Sequence, residues 1–287
     1  MTLRFVLVDV FTDVALAGNQ LAVVLDGAAL PDDRRQAVAA EFGFSETTFT
    51  GPPSHPTAGD VRVRIHTPLL ELPFAGHPTL GTAVAVAAER ALPGGSVLTL
   101  ELGVGGVPVE LDADGGGGWM RQPVPTVAVW PADRHGALLA ALGLDPSVVV
   151  APVERYDNGV PHAFVVVSSP DVVAGCTPDL GALGAVAPGC GVSVCAITGE
   201  TAAVTRMFHP SAGVAEDAAT GSAAGPLALH LLRHGLLSPG RELAIDQGAA
   251  IGRPSRLLAR VEGLPDAVAA VAVGGRAVIV GTGELRL

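Results

Sequence analysis

Three short stretches of this chain place side chains that could move a proton. Phe44-Ser-Glu-Thr-Thr-Phe49 sets a lone acid, Glu46, among apolar and β-branched residues. Desolvation in such a setting raises a carboxyl pKa toward the range of a general acid or base. The same residue could instead point outward from a strand or pair with an arginine. Gly76-His-Pro-Thr79 puts His77 at a helix start, with Pro78 suited to a first helical position. The positive end of a helix disfavours an imidazolium, so His77 reads as a neutral donor and acceptor. A ring that merely caps the helix is the alternative. Glu216-Asp-Ala-Ala-Thr-Gly-Ser222 gathers two acids and two hydroxyls ahead of a second helix. Asp217 and Ser222 are the candidates there, although N-capping by Thr220 or Ser222 explains the same composition. Glu216 reads as a structural or solvent-facing acid.

Other chemistries find less support. His230 and His234 stand i, i+4 on a helix, a spacing that can bind a metal, but no HExxH pattern surrounds them. His66 and His209 end corresponding strands and lack a third ligand at metal-like spacing, while His55, His135 and His162 are scattered. No metal is expected. Cys176, Cys190 and Cys195 are odd in number and form no CxxC, which argues against zinc or a disulfide framework and for a reduced, cytoplasmic setting. Gly103-Val-Gly-Gly106 does not run into a helix, and residues 115–118 lack the Lys-Ser/Thr of a phosphate loop. Ser222 lies in no G-x-S-x-G elbow. A net charge of −11 with no basic run speaks against nucleic-acid binding. The N-terminus reads as a first strand rather than a signal peptide, and no apolar run reaches the ~18 residues of a membrane span.

The elements that must position these residues are mostly short strands. Residues 4–10 and 20–25 read as strands around a Gly18-Asn19 turn, 31–42 as a helix stopped by Gly43, and 45–50 and 61–66 as further strands. A helix over 80–92 and strands over 97–102 and 107–111 follow. Residues 112–118 read as a loop and 123–131 as a crossover. Strands are expected again over 163–167, 192–198, 203–209, 242–246 and 255–261, a loop over 214–221, and a helix over 222–234 ended by Gly235.

This order repeats. Gly76 opens a helix and Gly103 follows a strand 27 residues later; Gly221 and Gly248 stand 27 apart in the same relation. Arg64-Ile-His-Thr-Pro68 is echoed by Arg206-Met-Phe-His-Pro210. The chain therefore reads as two similar halves, 1–122 and 123–287, with the last strand free to return to the first half. Such halves face each other across a cleft, and two helix N-termini directed there would hold an anion or a developing enolate.

The segments Gly18-Asn-Gln-Leu-Ala-Val23, residues 44–49, Glu71-Leu-Pro-Phe-Ala-Gly-His-Pro-Thr79, Glu216-Asp-Ala-Ala-Thr-Gly-Ser-Ala223 and Gln247-Gly…Gly252-Arg-Pro-Ser255 resemble the phenazine-biosynthesis PhzF-like family, in order along nearly the whole chain. The resemblance implies the α/β (α+β) diaminopimelate-epimerase fold: two pseudo-symmetric halves, each a curved, mostly antiparallel sheet around a central helix, with the active-site cleft between them. It implies a homodimer, a small-molecule substrate and no cofactor. It also implies an isomerase that shifts a hydrogen in trans-2,3-dihydro-3-hydroxyanthranilate. Carried over, Glu46 is the proton-shuttling acid/base, His77 and Asp217 assist proton transfer, Ser222 binds substrate, and Gly76 and Gly221 are backbone positions at the helix starts. Related epimerases and racemases of the fold use a cysteine pair, and none of the three cysteines falls in these motifs. Ala218 stands where the family commonly has proline. An epimerase acting on an amino-acid-like substrate and a non-catalytic metabolite binder are the rival expectations. The residues do not name the substrate.

Overall fold

The computed structural model describes residues 1–287. In chain order it forms β1 (Thr2–Val10), β2 (Asn19–Val24), α1 (Asp32–Phe42), β3 (Glu46–Gly51), β4 (Val61–His66), β5 (Glu71–Leu72), α2 (Gly76–Glu89), β6 (Val97–Leu102), β7 (Gly105–Leu111) and β8 (Gly117–Gln122). There follow β9 (Thr126–Val129), α3 (Ala132–Leu142), β10 (Glu154–Asp157), β11 (Pro161–Val166), α4 (Pro170–Gly175), α5 (Leu180–Val186), β12 (Gly191–Gly199), β13 (Ala202–His209) and β14 (Val214–Asp217). The chain ends with α6 (Gly221–Arg233), β15 (Leu243–Gln247), β16 (Ser255–Leu264) and β17 (Ala267–Arg286). Two compact units result: Met1–Arg121 with Val273–Leu287, and Gln122–Ala272. No helix is long and apolar enough to cross a membrane.

The same strand logic builds each unit. In the first, β1 is antiparallel to β17 and β2, β2 runs parallel to β3, β3 antiparallel to β4, β4 parallel to β6, and β6 antiparallel to β7. In the second, β10 is antiparallel to β9 and β11, β11 parallel to β12, β12 antiparallel to β13, β13 parallel to β15, and β15 antiparallel to β16. In each unit the strands wrap a helix that is buried on every side. All of 76–87 in α2 and all of 221–232 in α6 are buried, the mark of a central helix rather than a surface one.

The 27-residue spacing has a steric cause. A Cβ at Gly103 would lie 2.8 Å from Pro73 Cα, and one at Gly248 would lie 2.5 Å from the Ala218 carbonyl oxygen. Pro73 and Ala218 each stand three residues before their helix opens. Both glycines thus let the turn after a strand press on the segment that delivers the helix start. Arg64 pairs with Glu71, and Arg206 forks onto Glu216 at 2.9 and 2.7 Å. Each pair ties a long strand to the short one that leads into the helix.

Several expectations change. Residues 123–131 are not a bare crossover: β9 lies inside them, exposed at all four positions, so it lacks the alternation that marks a half-buried strand. The stretch 214–221 is not all loop, because β14 pairs with the end of β13 across a bulge. Helix α2 begins at Gly76, the helix start read at Gly76-His77, so the helical run over 80–92 extends back through that motif and ends at Glu89. Helices α3 to α5 and strands β8 and β10 were not anticipated.

Candidate active site

In the first unit, β2, β3 and α2 each bring one polar side chain together. Gly18 turns the chain into β2 with φ +69, and a Cβ there would lie 2.5 Å from the Val10 carbonyl oxygen, so glycine is required. Asn19 then opens β2. Glu46 opens β3 beside Leu21 in the parallel register. His77 is the second residue of α2, and a 2.8 Å hydrogen bond between Thr48 Oγ1 and Thr82 Oγ1 fastens β3 to that helix.

Asn19 Nδ2 lies 3.1 Å from His77 Nδ1, and His77 Nε2 lies 3.5 Å from Glu46 Oε2. Asn19 is thus the side-chain partner of Nδ1, while Nε2 makes no hydrogen bond and faces the carboxylate. At 3.5 Å the ring and the acid are adjacent without being locked together. Burial drives the His77 pKa down to about 3 against an opposing backbone hydrogen bond with Gln20. The ring is therefore neutral at ordinary pH, as the sequence predicts. It does not cap the helix, and Ala75 at the N-cap makes no side-chain cap either. The first-turn N–H groups are thus left for other acceptors. Glu46 has a side-chain exposure of 12%, consistent with the expected partial desolvation.

In the second unit, Asp217, Ser222 and Gly221 cluster at the start of α6. The capping expected of Thr220 does not occur. Its hydroxyl instead donates to Asp217 Oδ2 at 2.7 Å and accepts from Gln247 Nε2 at 2.9 Å, while Gln247 Oε1 takes the Thr220 N–H at 3.3 Å. Gln247 also donates to the Asp217 carbonyl at 2.9 Å, so the loop is pinned from β15. Ser222 Oγ lies 3.0 Å from His162 Nε2. Glu216 is structural, held in its fork by Arg206.

Pro226 explains another contact. The Ser222 carbonyl has no partner four residues on, because proline carries no N–H. Asn158 Nδ2 supplies the missing donor at 2.9 Å, and Gln122 Nε2 donates to the neighbouring Gly221 carbonyl at 2.8 Å. Sequence reasoning missed Asn19, Gln122, Asn158, His162 and Gln247 as supporting residues. Only Pro226, four residues after Ser222, hinted that an outside donor was needed.

The two units align residue by residue at these positions. The parallel pair Leu21–Glu46 of β2 and β3 corresponds to His162–Gly191 of β11 and β12, and His77 corresponds to Ser222.

The phenazine biosynthesis-like protein family, PhzC-PhzF, matches residues 8–283. The chain belongs to that family. It is 45% identical over 276 residues to the trans-2,3-dihydro-3-hydroxyanthranilate isomerase of Pseudomonas aeruginosa, covering 95% of both chains. A solved structure described as a predicted epimerase from the same organism aligns with a TM-score of 0.86 and 31% identity over 99% of each chain. A hydroxyproline epimerase of Agrobacterium vitis aligns at 0.71 with 14% identity, over 99% of this chain and 91% of that one, and shares the fold. This PhzF-family chain is an isomerase.

One cluster of this family member has metal-like reach. Ligand atoms of Glu154, His230 and His234 lie within 4.8 Å of one another. The three side chains are joined by hydrogen bonds. Glu154 Oε2 takes Tyr156 Oη at 2.7 Å and faces His234 Nε2 at 3.1 Å and His230 Nδ1 at 3.3 Å, while Arg233 approaches the other oxygen at 3.5 Å. Burial raises the Glu154 pKa, but these donors and the Arg233 charge outweigh it and hold it at about 2. The three cysteines are buried, with thiols pushed up by burial to about 11 for Cys176 and about 12 for Cys190 and Cys195. None stands at a helix start, which disfavours two-thiol racemase chemistry.

Proposed function

We propose that this chain isomerises a small unsaturated cyclic acid, trans-2,3-dihydro-3-hydroxyanthranilate or a close analogue, through one carboxylate. The observation that carries the reading is Glu46 beside a buried neutral His77 at an uncapped helix start. Glu46 removes a proton from a carbon next to the conjugated system, and the C–H electron pair enters that system. The protonated Glu46 then returns the proton to another carbon of the same molecule, so composition is unchanged. A group that serves as base and then acid must exchange its proton near the working pH.

His77 presents Nε2 to the substrate or to Glu46. Asp217 suits an amino group. The Ser222 hydroxyl and the N–H groups at Gly76 and Gly221 suit a carboxylate or developing negative charge. The internal repeat favours a single base. The position that corresponds to Glu46 in the second unit is Gly191, which has no side chain to act as its twin. A second base at the position related to Glu46 is thereby ruled out. A homodimer in the cytoplasm completes the proposal. Three free buried thiols agree with a reducing compartment, and native mass spectrometry tests the dimer.

Glu46→Gln keeps the shape and removes the proton carrier. With folding verified by circular dichroism, turnover of trans-2,3-dihydro-3-hydroxyanthranilate should fall at least a hundredfold, the usual scale of acid–base assistance. Deuterium incorporation from D2O should fall with it. Near-wild-type turnover by that variant would overturn the assignment.

A further inference from the structure

We propose that His162 is a positioning residue for this reaction: its ring donates from Nε2 to Ser222 Oγ and so commits the Ser222 hydroxyl proton to the substrate. This rests on the reading that Ser222 binds substrate.

The argument starts from a misfit. The residue that corresponds to His162 in the first unit is Leu21, an ordinary core leucine with 1% exposure. His162 is wholly buried in the same place on β11. A buried imidazole with an unmatched nitrogen is less stable than a satisfied one, and His162 Nδ1 has no hydrogen-bond partner. The fold also makes special room for the ring. Its register partner is Gly191, where a Cβ would lie 2.9 Å from Nδ1. Leucine and glutamate in the first unit are exchanged for histidine and glycine in the second. The exchange lets the ring reach Ser222 Oγ at 3.0 Å.

The lone contact fixes the tautomer. Burial, assisted by the nearby His209, drives the His162 pKa down to about 3, so the ring holds one proton at ordinary pH. A proton on Nδ1 would be a buried donor with nothing to receive it. A bare Nδ1 is an unmet acceptor, the milder defect. The proton therefore sits on Nε2, and Ser222 Oγ accepts it. A serine hydroxyl has one proton of its own. With an acceptor site already used, that proton is directed outward as a donor, the polarity a carboxylate or oxyanion requires. A substrate bearing a carboxylate fits this donor, and an ammonium does not.

Two measurements test the proposal. The first needs no substrate: ¹⁵N NMR of histidine-labelled protein should show His162 neutral and protonated on Nε2 from pH 6.5 to 9, and protonation on Nδ1 would overturn the proposal. The second is a kinetic cycle with trans-2,3-dihydro-3-hydroxyanthranilate. Ser222→Ala and His162→Leu should each lower kcat/KM about tenfold, the scale of one hydrogen bond. His162→Leu in the Ser222→Ala background should cost less than twofold more. His162→Gln, whose amide can donate from the same place, should recover to within about threefold. Additive losses, or no rescue by a folded glutamine variant, would refute action through Ser222. Full activity of Glu46→Gln would sink the proton-transfer reading and leave this cycle interpretable, because turnover would remain.

Discussion

Acid should unfold this protein well before its carboxylates titrate, and the buried histidines set the size of the effect. His77, His162 and His230 are at most 2% exposed. Burial lowers their pKa values to about 3, 3 and 4 from the 6.5 of an open chain. Above about pH 7.5 all three are neutral whether folded or unfolded, so they do not affect stability. Below 6.5 the unfolded chain gains protons that the folded chain refuses, and stability is lost as pH falls toward the folded values. At pH 5 each ring costs about 2 kcal/mol, or about 6 kcal/mol for the three. That loss is comparable to the whole stability of a typical domain, about 5–15 kcal/mol. Urea unfolding followed by tryptophan fluorescence at pH 8, 7, 6 and 5 measures it directly. Between pH 6 and 5 the slope should approach 4 kcal/mol per unit, about three protons taken up on unfolding. His162→Gln should remove about a third of the loss. A stability that stays flat within about 1 kcal/mol down to pH 5 would refute the reasoning, because it would mean the rings are not neutralised by burial.

Three further outcomes follow from the geometry. Gly191→Ala places a methyl 2.9 Å from His162 Nδ1; the ring must shift, and kcat/KM should fall about tenfold with a modest drop in Tm, as for one lost hydrogen bond. Asn158→Leu strips the Ser222 carbonyl of its side-chain donor and should cost about 1–3 kcal/mol in urea unfolding. Adding Pro226→Ala restores a backbone N–H at the right position and should recover part of that cost, whereas purely additive losses would contradict the role assigned to Asn158. Gly248→Ala forces a methyl against the Ala218 carbonyl at φ +80 and should lower Tm by several degrees.

Much of this protein is legible in its linear order. Glu46, His77, Asp217 and Ser222 stand in short motifs whose residue types already suggest acid–base work beside helix starts. The repeated 27-residue spacing announces two like units, because the same steric demand for glycine recurs in both. What the sequence alone could not decide depends on contacts between residues far apart in the chain. Asn19 reads as a turn residue until it is seen on His77 Nδ1, where it holds the ring in place. His162 reads as one more scattered histidine until β11 and β12 pair and Gly191 opens the room for its ring. Glu154, 76 residues from His230, joins His230 and His234 only in three dimensions, as their shared acceptor. Residue type and spacing set which chemistry is possible. Tertiary structure sets each group's proton and partner, because burial and hydrogen bonding act through space.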